Sequence, residues 1–173
     1  MKADGFPFKV IEPSYDFENE YLKMCSDYIE KQDQNYCYST IEEVRKKIAS
    51  DNRYAYGEIP ANRVKSFSYW FIVDNCIIGT SRFRPELNDD LKIEGGNIGY
   101  DVSPQFRKLN YGTMILNWTK MKAFDYGLKE ILVTCDDDNI GSYKIIEKNK
   151  GKLLEIINSP KTNKMIRRYI IVG

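Results

Sequence analysis

Arg107-Lys108-Leu109-Asn110-Tyr111-Gly112-Thr113 forms a basic, polar turn between an apolar segment, Ile98-Gly99-Tyr100-Asp101-Val102, and a helix-patterned one. Backbone N–H groups at a helix start have no intrahelical acceptor and lie at the positive end of the helix dipole, so such a turn can seat a phosphate. Arg107 and Lys108 can add charge to it. Taken alone, a basic turn before a helix is just as well an ordinary solvated loop. The order of segments favours a ligand: a second apolar strand, Ile131 to Cys135, runs into Asp136-Asp137-Asp138-Asn139, and this asparagine can cap a helix passing through Ser142 to Lys148. A phosphorylated cofactor is the first chemistry these residues suggest.

What is missing narrows the chemistry further. The 173 residues contain no histidine, which removes Ser-His-Asp and Cys-His catalysis and every histidine-ligated metal site. Cys25, Cys37, Cys76 and Cys135 are too far apart for a C-x-x-C metal or redox motif, and no secretory signal opens the chain, so they read as reduced thiols in a cytoplasmic protein. No metal site is expected. Cys135, at a strand end without a thiolate-stabilising neighbour, reads as a small buried hydrophobe. Balanced charge, 26 basic against 25 acidic residues, gives no field to draw the chain to nucleic acid or an anionic membrane. No apolar run approaches the ~20 residues that span a bilayer.

The elements that must hold these groups follow from periodicity. Phe6 to Glu12 reads as a strand, Phe17 to Lys31 as a helix with Tyr21, Leu22, Cys25, Tyr28 and Ile29 on one face, and Ile41 to Ile48 as a second helix capped by Ser39 or Thr40. Residues 51–66, with Gly57 and Pro60, read as a loop. Ser68 to Val73 and Ile77 to Phe83 are strands joined at Asp74-Asn75, and a polar loop over 85–96 leads into a strand from Asn97 to Val102. Tyr111, Met114, Ile115, Trp118 and Met121 form the apolar stripe of a helix that ends near Gly127. Leu153 to Ile157 and Met165 to Val172 read as final strands, able to pair within the chain or with a second copy as a homodimer. The length suits one domain over 1–173.

Arg107 to Gly112 resembles the Q/R-x-x-G-x-G/A pyrophosphate loop of the GNAT-type N-acetyltransferase superfamily. The run GGNIGYDVSPQFRKLNYG followed by VTCDDDNIGSYKIIEKNKG is similar to a group of bacterial predicted acetyltransferases. The resemblance covers roughly residues 68 to 157. It implies an α/β fold: a mixed, centrally splayed β-sheet of about six to seven strands flanked by helices, with a cofactor core at about 97–151. The implied reaction moves an acetyl group from acetyl-CoA to a primary amine by direct attack. The implied cofactor residues are Asp101, Val102, Arg107, Lys108, Leu109, Asn110, Tyr111, Gly112, Thr113, Asn139, Ser142 and Lys148. Amides of about Lys108 to Thr113 would hold the pyrophosphate, and a backbone N–H near Val102 would polarise the acetyl carbonyl.

Two positions depart from the family pattern. Asn110 stands where glycine is usual, and asparagine is the least costly substitute for a left-handed turn residue. Ile146 stands where the family carries a tyrosine that protonates the departing thiolate, which leaves Tyr143, one turn earlier, as the candidate acid. An amine with a pKa near 10.4 arrives protonated, so a base or a water chain must take its proton, and Glu94 and Asp101 are the candidate bases. The acceptor side falls to Trp70 and to Arg82 and Arg84, which share one face of a strand. An acceptor peptide would use a groove beside these arginines, whereas a small polycation would need acid from Glu86, Asp89 and Asp90. The departures leave open a non-catalytic CoA or acyl-CoA sensor or interaction module.

Overall fold

The computed structural model describes residues 5–33, 36 and 38–173, and Cys37, expected as a reduced thiol, lies outside them. The elements are β1 (Lys9–Ile11), α1 (Glu18–Glu30), α2 (Ile41–Tyr56), β2 (Phe67–Val73), β3 (Cys76–Phe83), α3 (Asp89–Ile93), β4 (Ile98–Val102), α4 (Tyr111–Asp125), β5 (Glu130–Asp136), α5 (Ile140–Lys148), β6 (Lys152–Asn158) and β7 (Met165–Val172). The strands form a four-stranded sheet, β1-β2-β3-β4, and a three-stranded sheet, β5-β7-β6, each antiparallel throughout and flanked by helices. Asp74 and Asn75 turn the β2–β3 hairpin with φ of 46° and 61°, the left-handed pair that suits strand twist.

The sheets are joined just ahead of β4. The Asn97 amide donates to Leu132 O at 2.7 Å, and the Leu132 amide donates to Asn97 Oδ1 at 2.8 Å. Gly96 makes this closure possible, because at φ +61° a Cβ there would lie 2.4 Å from Leu132 O. Beyond that point neither ladder extends from β4 to β5, so the centre splays. Apolar packing holds the halves together: Ile115 of α4 joins Phe8, Phe71 and Ile78, while Leu116 and Ala123 join Phe83, Ile98, Ile131, Val133 and Tyr169.

Four expectations need correction. The second helix does not end at Ile48 but runs to Tyr56, because Val44, Ile48, Asp51 and Ala55 continue one buried face. A buried aspartate in that row disguised the period. Within the expected loop 85–96, Asn88 accepts from the Leu91 amide at 3.0 Å and starts the short α3. On α4 the buried row is Gly112, Ile115, Leu116, Thr119 and Ala123, and Met121 is exposed, because the helix covers two core clusters rather than one sheet face. Similarly, Met24 rather than Ile29 completes the buried face of α1.

Candidate active site

The turn ahead of α4 is shaped by two left-handed residues, Lys108 at φ 66° and Asn110 at φ 65°, on either side of Leu109. Asparagine tolerates that region well, so the turn forms without the usual glycine. The first rung of the helix is the Met114 amide donating to Asn110 O at 3.3 Å, which leaves the amides of Tyr111, Gly112 and Thr113 ahead of the ladder. No acid sits in the first turn. Gly112 lets this end approach α5, since a Cβ there would lie 2.7 Å from Ile145 Cδ1.

Above the turn opens a cleft of about 700 Å³ between β4, the turn and α5. Of the expected cofactor residues, Asp101, Val102, Arg107, Lys108, Asn110, Gly112, Thr113, Asn139, Ser142 and Lys148 line it. Leu109 and Tyr111 do not; Leu109 is exposed, and the Tyr111 ring packs edge-on to Phe106. Asn139 caps α5 by accepting from the Ser142 amide at 2.9 Å. Lys144, which the sequence reading passed over, joins Lys148 on the lining; their spacing of one helical turn was the available signal. Amides ahead of the helix ladder, a positive helix end and lysines lining a roomy cleft fit a diphosphate-bearing cofactor.

Arg107 lines this cleft and is also tied into the fold. Its side chain turns inward: Nε donates to Val102 O at 3.1 Å, Nη2 donates to Asp33 Oδ2 at 2.8 Å, and the guanidinium lies over the Tyr28 ring. Asp101 Oδ1 is nearby at 3.7 Å from Nη2, and it accepts from Tyr28 OH and from the Val102 amide, both at 2.8 Å. Burial pushes the Asp101 carboxyl above its ordinary range, and these donors only partly offset it.

A second cleft, of about 300 Å³, lies beside the first and is lined by α1, α2, β2, β3 and β4 side chains. Trp70, Arg82 and Arg84, the expected acceptor residues, all line it, with Tyr36, Lys47 and Asp51. Trp70 is buried and stacked on Tyr21 at 4.5 Å. Tyr36 OH shares a 2.7 Å hydrogen bond with Thr80 Oγ1. Tyr100 and Asp101 line both clefts. Tyr100 OH lies 2.9 Å from Ser142 Oγ, so the phenol bridges β4 to α5. Burial pushes that phenol up, which keeps it protonated.

Two of the three side chains put forward as catalytic, Glu94 and Tyr143, lie outside both clefts. Glu94 lines neither cleft and accepts a hydrogen bond from Ser159 Oγ. Tyr143 lines neither cleft; its ring packs under Arg167 at 4.4 Å and against the core. Ile146 is fully buried in that core. The Cys135 thiol is pushed up to about 11 by burial, so it is a poor nucleophile at neutral pH. Among the described residues no group of three or more Cys, Asp or Glu could hold a metal ion, and no helix is long and apolar enough to cross a membrane.

Residues 26–151 match the model of the acetyltransferase (GNAT) family. No curated protein matches the chain significantly. Among solved structures, it is similar to RimL, the ribosomal L7/L12 alpha-N-protein acetyltransferase, in complex with coenzyme A: TM-score 0.76 and 13% identity, with 98% of this chain and 96% of that one covered. It is similar to the microcin C7 self-immunity acetyltransferase MccE in complex with acetyl-CoA and AMP, with TM-score 0.74 and 14% identity over 96% and 93% of the two chains. A GNAT-family acetyltransferase from Bacillus anthracis gives TM-score 0.69 and 17% identity over 99% and 98%. At these identities the likeness to each is one of fold.

Proposed function

Because the chain belongs to the acetyltransferase (GNAT) family, whose acyl donor is acetyl-CoA, we propose that it transfers acetyl to a primary amine by direct attack, as a single cytoplasmic domain spanning 1–173. The observation that carries this reading is that Tyr100 and Asp101, adjacent on β4, line both clefts. One cleft takes the donor and the other the acceptor.

When bound, acetyl-CoA supplies a thioester acyl group and a thiol leaving group of pKa near 8.5. The amides of Lys108 to Thr113, with Lys108 and Lys148 beside them, hold its diphosphate; Leu109 and Tyr111 contribute through the backbone alone. Asp101 takes the proton of the acceptor amine, and the burial that raises its pKa makes it the stronger base. Taking that proton loosens its hold on the Val102 amide, which then can polarise the acetyl carbonyl as charge develops. Tyr100 OH, through Ser142 Oγ, returns a proton to the departing thiolate, a role that Ile146 cannot fill. Glu94 and Tyr143 have no part in this assignment. A homodimer belongs to the same proposal, since β6 is an edge strand exposing Leu153, Leu154 and Ile156.

One observation favours a non-catalytic CoA or acyl-CoA sensor: Val102 has its amide held by Asp101 and its carbonyl held by Arg107. Calorimetric titration with acetyl-CoA, run with Lys148→Glu and paired with thiol release on an amine panel, separates the readings. Expected are micromolar binding, a roughly three- to tenfold loss in the variant from reversing one phosphate-facing charge, and turnover on an amine. Binding without turnover on any amine would select the sensor, and no binding to the unaltered chain would remove both.

A further inference from the structure

Arg82 and Arg84 line the second cleft and also an adjoining hollow of about 460 Å³ with Tyr54, Arg63, Asn88, Asp90 and Lys161. The two spaces therefore share a guanidinium wall. Their lining carries Lys47, Arg63, Arg82, Arg84 and Lys161 against the carboxylates of Asp51, Asp90 and Asp101. Most of this charge is already matched: Asp51 takes Lys47 and Arg82, the latter at 3.1 Å, and Asp90 takes Lys161 at 2.8 Å.

Arg84 differs from these. Its Nη1 donates to Gly96 O at 3.0 Å and to Gly95 O at 3.5 Å, so among the described residues its hydrogen-bond partners are neutral carbonyls, not a carboxylate. Burial, and then the like charge of Arg82, pull its pKa down to about 10. A partly desolvated guanidinium without a counter-ion gains most from an anion that can take its planar fork. The acids that would suit a polycationic acceptor are not available: Glu86 and Asp89 line neither space, and Asp90 is paired.

Register sets a spacing. Thr80 lies opposite Asp101 and Arg82 opposite Gly99, so Thr80, Arg82 and Arg84 stand on one face of the sheet. At ~3.3 Å rise per residue, Arg82 and Arg84 lie roughly 7 and 13 Å along the strand from the level of Asp101. Trp70 and Tyr36 wall the space between.

Resting on the acetyltransferase reading above, we propose that the acceptor is a primary amine carrying a carboxylate or phosphate several bonds away. Arg84, aided by Arg82, binds the anion while the amine lies at Asp101. The chemistry is shared by amino acids of extended length and by aminoalkyl phosphates, and a panel separates them: glycine, γ-aminobutyrate, ε-aminocaproate and aminoethyl phosphate, against n-butylamine and putrescine.

Binding is read by calorimetry with and without CoA, and transfer by thiol release, on the unaltered chain, Arg84→Gln and Arg84→Lys, each checked for folding by thermal melt. The expected result is tighter binding and higher kcat/KM for the longer anionic amines than for n-butylamine, with glycine poor. Arg84→Gln should shrink that preference by roughly tenfold to a hundredfold, and Arg84→Lys should partly restore it. If Arg84→Gln does not fold, Arg82→Gln carries the same test with a smaller loss. Equal or better use of n-butylamine or putrescine, or a preference untouched by the variants, overturns the anion site while leaving acetyl transfer standing. Arg84-dependent binding of the anionic amines without transfer does the reverse.

Discussion

At the scale of single residues, the proposed reaction concentrates its chemistry on Asp101. Its carboxyl is raised above the ordinary 3.8 chiefly by burial, and it must be ionised to take a proton from an amine. Activity should therefore be absent at acid pH and appear as pH rises through the raised folded-state pKa, giving the acid limb of kcat/KM. Asp101→Asn should lower kcat/KM by about a hundredfold or more and abolish that limb, read from a pH–rate profile. The linkage to stability has the opposite sign. A carboxyl raised on folding favours the folded state fully below 3.8 and loses that contribution as pH climbs through its folded pKa. Asp101→Asn should thus melt no lower than the unaltered chain at neutral pH, and a variant that unfolds there would show the loss of rate to be structural. Of the two carboxylates the sequence put forward as base, it had no means of choosing: Glu94 and Asp101 flank the same short apolar segment, one in the loop before it and one near its end, and only the fold turns one to Ser159 and the other to the junction of the clefts.

At the scale of elements, the start of α4 tests how far one backbone conformation controls a site. Lys108 and Asn110 both hold φ near +65°, and the amides that follow depend on that turn. Asn110→Val places a β-branched residue in the left-handed region, at a cost of roughly 1–2 kcal/mol. We expect a lower thermal midpoint and a weaker acetyl-CoA titration, with Asn110→Gly matching the unaltered chain in both; equal behaviour of the two variants would separate the turn from binding. The motif from Arg107 to Gly112 was legible because turn and cap chemistry is local. The true end of α2 was not. Its buried face includes Asp51, whose burial is tolerable only beside Lys47 one turn earlier and Arg82 of β3, and no local pattern announces the partner from the strand.

At the scale of the whole molecule, the sheets are closed at Asn97–Leu132 and open beyond it, and the larger cleft, proposed for the donor, lies beside that opening. The three-stranded sheet ends in β6, whose exposed Leu153, Leu154 and Ile156 leave an unpaired apolar edge. Sedimentation velocity should show a concentration-dependent dimer, weakened by Ile156→Lys; a monomer at every concentration would remove the homodimer. Composition, the phosphate turn, the asparagine cap and most strands could be read from the amino-acid order, because they rest on neighbours three or four residues apart. Family and cofactor came with them. The meeting of Tyr100 and Asp101 with both clefts, the inward turn of Arg107, and the guanidinium of Arg84 left facing carbonyls depend on residues dozens of positions apart. Such contacts are settled by packing and desolvation, which act only once the chain has folded.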